Sequence, residues 1–171
     1  MMINSIIRSV IALLLLAVCL LPVQGVLAAG ADDGSGDVVK VVYHADFSDP
    51  RRFRAMLTSI NNMVTYYQNE LVDYDVRVVF VAHGIRFLTD DKLADTPFAS
   101  DDALEERRSN IKGRLSSLNS VQGVKLELCD ITRTQIKLSE EKLYGGVESV
   151  PSGVVRLAEL QRQGFAYIKV E

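Results

Sequence analysis

The sequence predicts an α/β fold: a three-layer α/β/α sandwich around a mainly parallel five-stranded sheet. Two observations carry this expectation. Strand-like and helix-like segments alternate from Val38 to the end of the chain, and the strand segments are nearly continuous in apolar, β-branched residues, as strands covered on both faces are. Parallel strands need crossover connections, and in such sheets helices come to cover both faces.

The chain opens on a different pattern. Arg8 supplies a positive start, Val10 to Leu21 is an apolar run without charge, and Pro22 and Gly25 end it. Val26-Leu27-Ala28 then places small or modest side chains at the −3 and −1 positions of a signal-peptide cleavage site. The run is shorter than the roughly 20 residues that span a bilayer comfortably. Residues 1–28 therefore read as a cleavable secretory signal, cut after Ala28 or Ala29, which places the protein in the periplasm without a stable membrane anchor. An uncleaved N-terminal anchor is the alternative. Lipidation at Cys19 is disfavoured, because Val18 precedes it where a lipoprotein signal has a small residue. Residues 29–37, with Gly30 to Asp37 reading GADDGSGD, form a flexible polar tether.

The α/β domain is expected over residues 38–171. Val38 to Tyr43 is the first strand. Asp49-Pro50 supplies an N-cap and a proline at the first helical position, and Phe53, Met56, Leu57, Ile60, Val64, Tyr67 and Leu71 follow as one apolar face. Val76 to Ala82 is the second strand, broken by Gly84, and Thr89 to Ser100 is a polar loop containing Pro97. Ser100 with Asp101 and Asp102 starts a second helix with Leu104, Ile111, Leu115 and Leu118 on its face. Gln122-Gly123 is a turn. Val124 to Leu128 is the third strand, ending at Cys129. A short helix at about Thr132 to Lys137 and a turn at Gly145-Gly146 lead to a fourth strand, Val147 to Val150. Ser152 to Gln163 is a helix closed by Gly164, and Phe165 to Val170 is the last strand.

Charge and cysteine count narrow the function. Loss of Arg8 with the leader takes the formal charge from −3 to −4, mildly acidic with both signs interspersed, which argues against nucleic acid or an anionic membrane as partner. Of the two cysteines, Cys19 leaves with the leader, so the mature protein holds one thiol, Cys129, and no internal disulfide. In open parallel sheets ligands bind beyond the carboxyl ends of the strands. His44, His83 and Cys129 each fall where a strand hands over to a loop, so parallel strands would bring all three to one rim. Cys129 leads into a short helix, and a helix start and a nearby imidazole both favour thiolate, the form that attacks sulfur or an electrophilic carbon. Asp130 works against this. A buried, inert structural cysteine is the alternative, left open by position alone. His83 is a proton donor or acceptor beside Cys129, or a residue that orders the loop at Gly84; His44 reads as a loop-ordering residue. Two histidines and a cysteine could bind zinc or copper, but no close ligand pair points to a metal, and neither metal nor cofactor is assigned. Arg51-Arg52 and Arg107-Arg108 read as solvated helix faces. The Gly-Ser-Gly at 34–36 precedes its strand and so cannot cradle phosphate, and no G-x-S-x-G, Walker or C-x-x-C pattern occurs.

Lys40-Val-Val-Tyr-His44, the helix carrying Asn61-Asn62, Val81-Ala-His83-Gly84, Leu126-Glu-Leu-Cys129 with Thr132, Val150-Pro-Ser-Gly-Val154 and Gly164-Phe-Ala-Tyr-Ile168 together resemble the DsrE/DsrF-like (YchN-like) family, and more closely its exported branch. The resemblance runs from about Val38 to the C-terminus. It implies a five-stranded α/β/α fold and homo-oligomers, often trimers or hexamers. In the cytoplasmic sulfur-trafficking members a cysteine at this strand end carries sulfur as a persulfide, in relay with donor and acceptor proteins, and Cys129 matches that position. The resemblance thus implies a sulfur carrier or sulfurtransferase working through Cys129; His83 stands beside it as the second catalytic candidate, and His44, Gly84 and Thr132 are the binding candidates. A non-catalytic oligomeric binding module is the alternative. The exported branch commonly reads Cys-Gly-Asn-Thr, whereas here Asp130-Ile131 replaces Gly-Asn, so a side chain stands where the family has a glycine.

Overall fold

The structure, a computed structural model, describes residues 38–170; the expected leader and tether lie outside the described residues. Five strands, β1 (Val39–Ala45), β2 (Tyr74–Phe80), β3 (Lys125–Cys129), β4 (Val147–Val150) and β5 (Ala166–Lys169), form one sheet in the order β4-β3-β2-β1-β5. Every pairing is parallel. Between them lie helices α1 (Pro50–Asn69), α2 (Asp102–Glu105), α3 (Arg108–Ser120), α4 (Asp130–Gln135) and α5 (Gly153–Arg162). The α/β sandwich expected from the sequence is the fold observed, and its sheet is parallel throughout.

Strand order explains how the layers divide. From β1 to β4 the chain steps steadily toward one edge, and crossovers of one hand put their helices on the same face. The apolar faces of α1, α2 and α3 accordingly share one cluster with Val41, Tyr43, Ala45, Val78, Phe80, Leu126 and Leu128. The connection from β4 to β5 runs back the other way, and its helix α5 covers the opposite face, where Leu157 and Leu160 meet Val42, Val79 and Phe165. Alternation along a strand thus sorts β3 cleanly: Leu126 and Leu128 face the large cluster, while Glu127 and Cys129 face α5.

Local signals behave as their chemistry requires. The Asp49 carboxylate caps α1 by accepting from the Arg51 and Arg52 N–H groups, with Pro50 at the first turn. Four readings need correction. Leu71 is not on the apolar face of α1: the helix ends at Asn69, and Leu71 turns the chain at φ 55°, 92% exposed. The helix expected from Asp101 is two pieces, α2 and α3. The turn between them directs Arg108 inward, where its guanidinium bonds the Thr89 and Arg86 carbonyls and Glu105, so Arg108 is buried and not a solvated face. The first strand runs on to Ala45 and includes His44, whereas β2 stops at Phe80 and residues Ala82–Phe87 form a 3-10 helix. Finally, α4 begins at Asp130, directly after Cys129, and not at Thr132.

Phe53 on α1 is fully buried and lies face to face with Phe87 at 4.0 Å between ring centres. Phe53→Ala is expected to cost about 3–5 kcal/mol of stability, through lost burial and the cavity left behind, measured by denaturant unfolding.

Candidate functional site

Strand β3 delivers Cys129 to the carboxyl edge of the sheet, on the α5 face. It is both the last residue of β3 and the N-cap of α4, with extended backbone at φ −60° and ψ 113°, and it is 4% exposed. Its surroundings are polar despite this burial. Backbone N–H groups of Gly153, Thr132 and Ile131, together with the Thr132 hydroxyl, act on the thiol. Burial alone pushes the thiol up, but the four donors outweigh it and hold Cys129 below the ordinary cysteine value, because each of them stabilises thiolate more than thiol.

Two helix starts supply these donors. Ile131 and Thr132 belong to the first turn of α4, and Gly153 is the first residue of α5, whose N-cap Ser152 accepts from the Val155 N–H. The absence of a side chain at Gly153 is what allows this approach. A Cβ there would lie 3.0 Å from the Cys129 Cβ and 2.6 Å from Val81 Cγ2. The buried Thr132 hydroxyl also accepts from the Ala82 N–H at 3.1 Å, which ties the loop after β2 to the sulfur site. Ala82 takes the left-handed conformation there, at φ 48°.

The residues singled out from the sequence fall into two groups. Cys129 and Thr132 come together, and Ala82 connects them to His83 and Gly84. Gly84 presses against the end of β1, where a Cβ would stand 2.2 Å from the Ala45 carbonyl oxygen. The His83 ring meets Phe98 edge-on at 5.3 Å, and Phe98 belongs to the cluster on the far side of the sheet from α5. His44 shares the α5 face with Cys129 but stands two strands away, about 10 Å across the sheet. Its Nδ1 lies 2.9 Å from the Tyr167 hydroxyl, and its Nε2 is 3.9 Å from Asp46. Desolvation lowers the His44 pKa, with Asp46 opposing. Both imidazoles therefore sit at the strand ends but are engaged away from the sulfur. Among the described residues no group of three or more His, Cys, Asp or Glu side chains could hold a metal ion.

Sequence reading missed Gly153 and the charges behind it. Glu127, two residues before Cys129 on the same face, is 1% exposed. Arg156 grips it with two hydrogen bonds of 2.6 and 2.9 Å, and Arg77 from β2 adds one of 2.8 Å. Burial pushes this carboxyl up, but the two arginines overcome that and hold it below the ordinary glutamate value. A carboxylate between two buried leucines, Leu126-Glu127-Leu128, was the available signal.

Comparison with known proteins is consistent with this architecture. The model of the DsrE/DsrF-like family matches residues 38–170. Among solved structures, the chain is similar to the protein of unknown function MTH1491 from Methanobacterium thermoautotrophicum. That match has 25% identity and a TM-score of 0.58 over 77% of this chain and 98% of the other. It is also similar in fold to the ychN protein from E. coli, at 17% identity and a TM-score of 0.52 over 77% of this chain and 99% of the other. No curated protein matches.

Two outcomes follow from this geometry. Thr132→Val removes the hydroxyl from the sulfur, so the ultraviolet thiolate titration of Cys129 should move to higher pH, while Thr132→Ser should hold it near wild type. Glu127 has a folded pKa below its unfolded one, so its pairing stabilises the fold fully above about pH 4.3 and that stabilisation fades as pH falls through the folded value. Glu127→Gln should flatten this acid limb in urea unfolding measured across pH.

Proposed function

Because the chain belongs to the DsrE/DsrF-like family, we propose that it is an exported sulfur carrier in which Cys129 accepts sulfane sulfur as a persulfide and passes it to an acceptor thiol. The observation that carries this reading is the place of Cys129, last residue of β3 and N-cap of α4 at the carboxyl edge of a parallel sheet with Gly153 packed against it, where neighbouring N–H groups and the Thr132 hydroxyl favour the nucleophilic form. The sulfur step needs no oxidant. The Cys129 thiolate attacks the terminal sulfur of a donor persulfide, a new S–S bond forms as the donor's S–S bond breaks, and the donor leaves as a thiolate. The acceptor thiolate repeats the exchange on the Cys129 persulfide and restores the starting thiolate.

The other parts of the proposal are arranged around this step. Thr132 and the N–H groups of Ile131 and Gly153 hold the anionic sulfur. His83 and Gly84, joined to Thr132 through Ala82, shape the loop beside it, and His44 lines the same rim two strands away. The leader read over residues 1–28 puts the carrier in the periplasm, and N-terminal sequencing of the mature protein should begin after Ala28 or Ala29. Assembly as a trimer or hexamer, and donor and acceptor proteins, belong to the same reading.

One observation favours a second reading. At 4% exposure Cys129 is nearly covered, as a packed cysteine in a non-catalytic oligomeric module would be. Mass spectrometry after exposure to polysulfide separates the two. A carrier gains one sulfur atom on Cys129, lost in Cys129→Ser, and native Cys129 alkylates readily with iodoacetamide. A packed thiol stays unmodified until the protein unfolds.

A further inference from the structure

The proposed transfer makes no use of Glu127, yet burying a carboxylate in the middle of a sheet strand is costly unless it is fully paired. The pairing is directional. Both carboxylate oxygens face Arg156, which donates from Nε at 2.6 Å and from Nη2 at 2.9 Å, the two-pronged geometry that a guanidinium forms best. Arg156 follows Gly153 by three residues, close to one turn of α5, and Glu127 precedes Cys129 by two on the same face of β3. Two contacts therefore run side by side across one helix–strand seam: Gly153 on Cys129 and Arg156 on Glu127.

The start of α5 is set by Gly153 packed against Val79 and Val81 and by the pairing of Val150 with Cys129, and the next two side chains add little to it. Val154 and Val155 are 65% and 55% exposed, and the apolar grip of the helix comes later, from Leu157 and Leu160. Arg156 is the residue of this turn whose side chain ties it to β3, so the separation of Gly153 from Cys129 depends on that ion pair as well as on packing. We propose that Glu127 is a positioning residue for Cys129: through Arg156 it fixes the start of α5 so that Gly153 stays packed against the cysteine, an assignment that rests on Cys129 working as a thiolate. Arg77, which approaches the same carboxylate from β2, compensates the charge but does not tie down α5.

The test is the ultraviolet thiolate titration of Cys129 in the full chain, taken as the difference from Cys129→Ser so that Cys19 cancels. Arg156→Met and Glu127→Gln change the local charge in opposite directions. Positioning predicts that both lower the thiolate fraction at a fixed pH below the midpoint by about three- to tenfold, which is an upward move of roughly half to one pH unit. Arg77→Met should leave the titration where it is. Opposite movements in Arg156→Met and Glu127→Gln would mean a through-space field and overturn the assignment, as would no movement in either while thermal unfolding shows both folded. Should Glu127→Gln fail to fold, Arg156→Lys decides. It keeps the charge without the two-pronged grip, so positioning predicts a titration between wild type and Arg156→Met, whereas a wild-type titration overturns the proposal. A protein that takes up no sulfur still gives this titration, so failure of the carrier reading and failure of the positioning role are separable.

Discussion

A carboxylate placed inside a sheet has to bring its counter-charges with it. Glu127 lies in β3 between two leucines that belong to the larger of two apolar clusters among the described residues, and its own side chain turns the other way, under α5. The desolvation it suffers there is offset only because Arg77 reaches it from the neighbouring strand and Arg156 from the covering helix. The relation of α5 to β3 follows from that pairing as much as from apolar contact, and the environment of the cysteine two residues further on follows from the relation of α5 to β3.

The sulfur site shows how burial and ionisation can coexist. Covering a thiol with protein ordinarily favours its neutral form, since a thiolate gives up more hydration than a thiol does. Here the covering groups are N–H donors from two helix starts and a hydroxyl, so the protein replaces part of the hydration it removes. The consequence is a covered cysteine whose thiol pKa lies below its ordinary value. Beside it, Val150 pairs with Cys129 in the sheet and Gly153 packs against its Cβ.

Topology explains why the cover on this face is a single helix. Four strands laid down in steady succession place their crossovers on one face, and only the return from β4 to β5 leaves a helix for the other. The face with one helix has the smaller cluster, five buried residues centred on Val42, Val79, Leu157, Leu160 and Phe165, and more polar side chains between the layers. His44, Arg77, Glu127 and Cys129 all occupy this thinner side. Polar groups concentrate where the apolar layer is too small to require every position.

Much of this was legible in the chain itself. Periodicity determined the five strands and their alternation with helices, since a β-branched run cannot satisfy a helical face and a three-to-four spacing cannot satisfy a strand. The cap at Asp49-Pro50 and the position of Cys129 at a strand end were equally local facts. Element ends were less legible: Leu71 continues the apolar spacing but follows the last turn of α1, and nothing in its spacing reveals that the chain has already reversed. The site was only partly visible. Which donors meet the sulfur depends on Gly153, 24 residues away, and on Arg156 beyond it, and their approach to β3 is set by how the last crossover packs. The sequence by itself determined that a single cysteine would stand at the carboxyl edge of a parallel sheet. Only the tertiary structure decided that helix N–H groups and a hydroxyl would meet it instead of a histidine, because strand alternation and the side taken by a crossover fix direction in space, and neither is written in the spacing of residues along the chain.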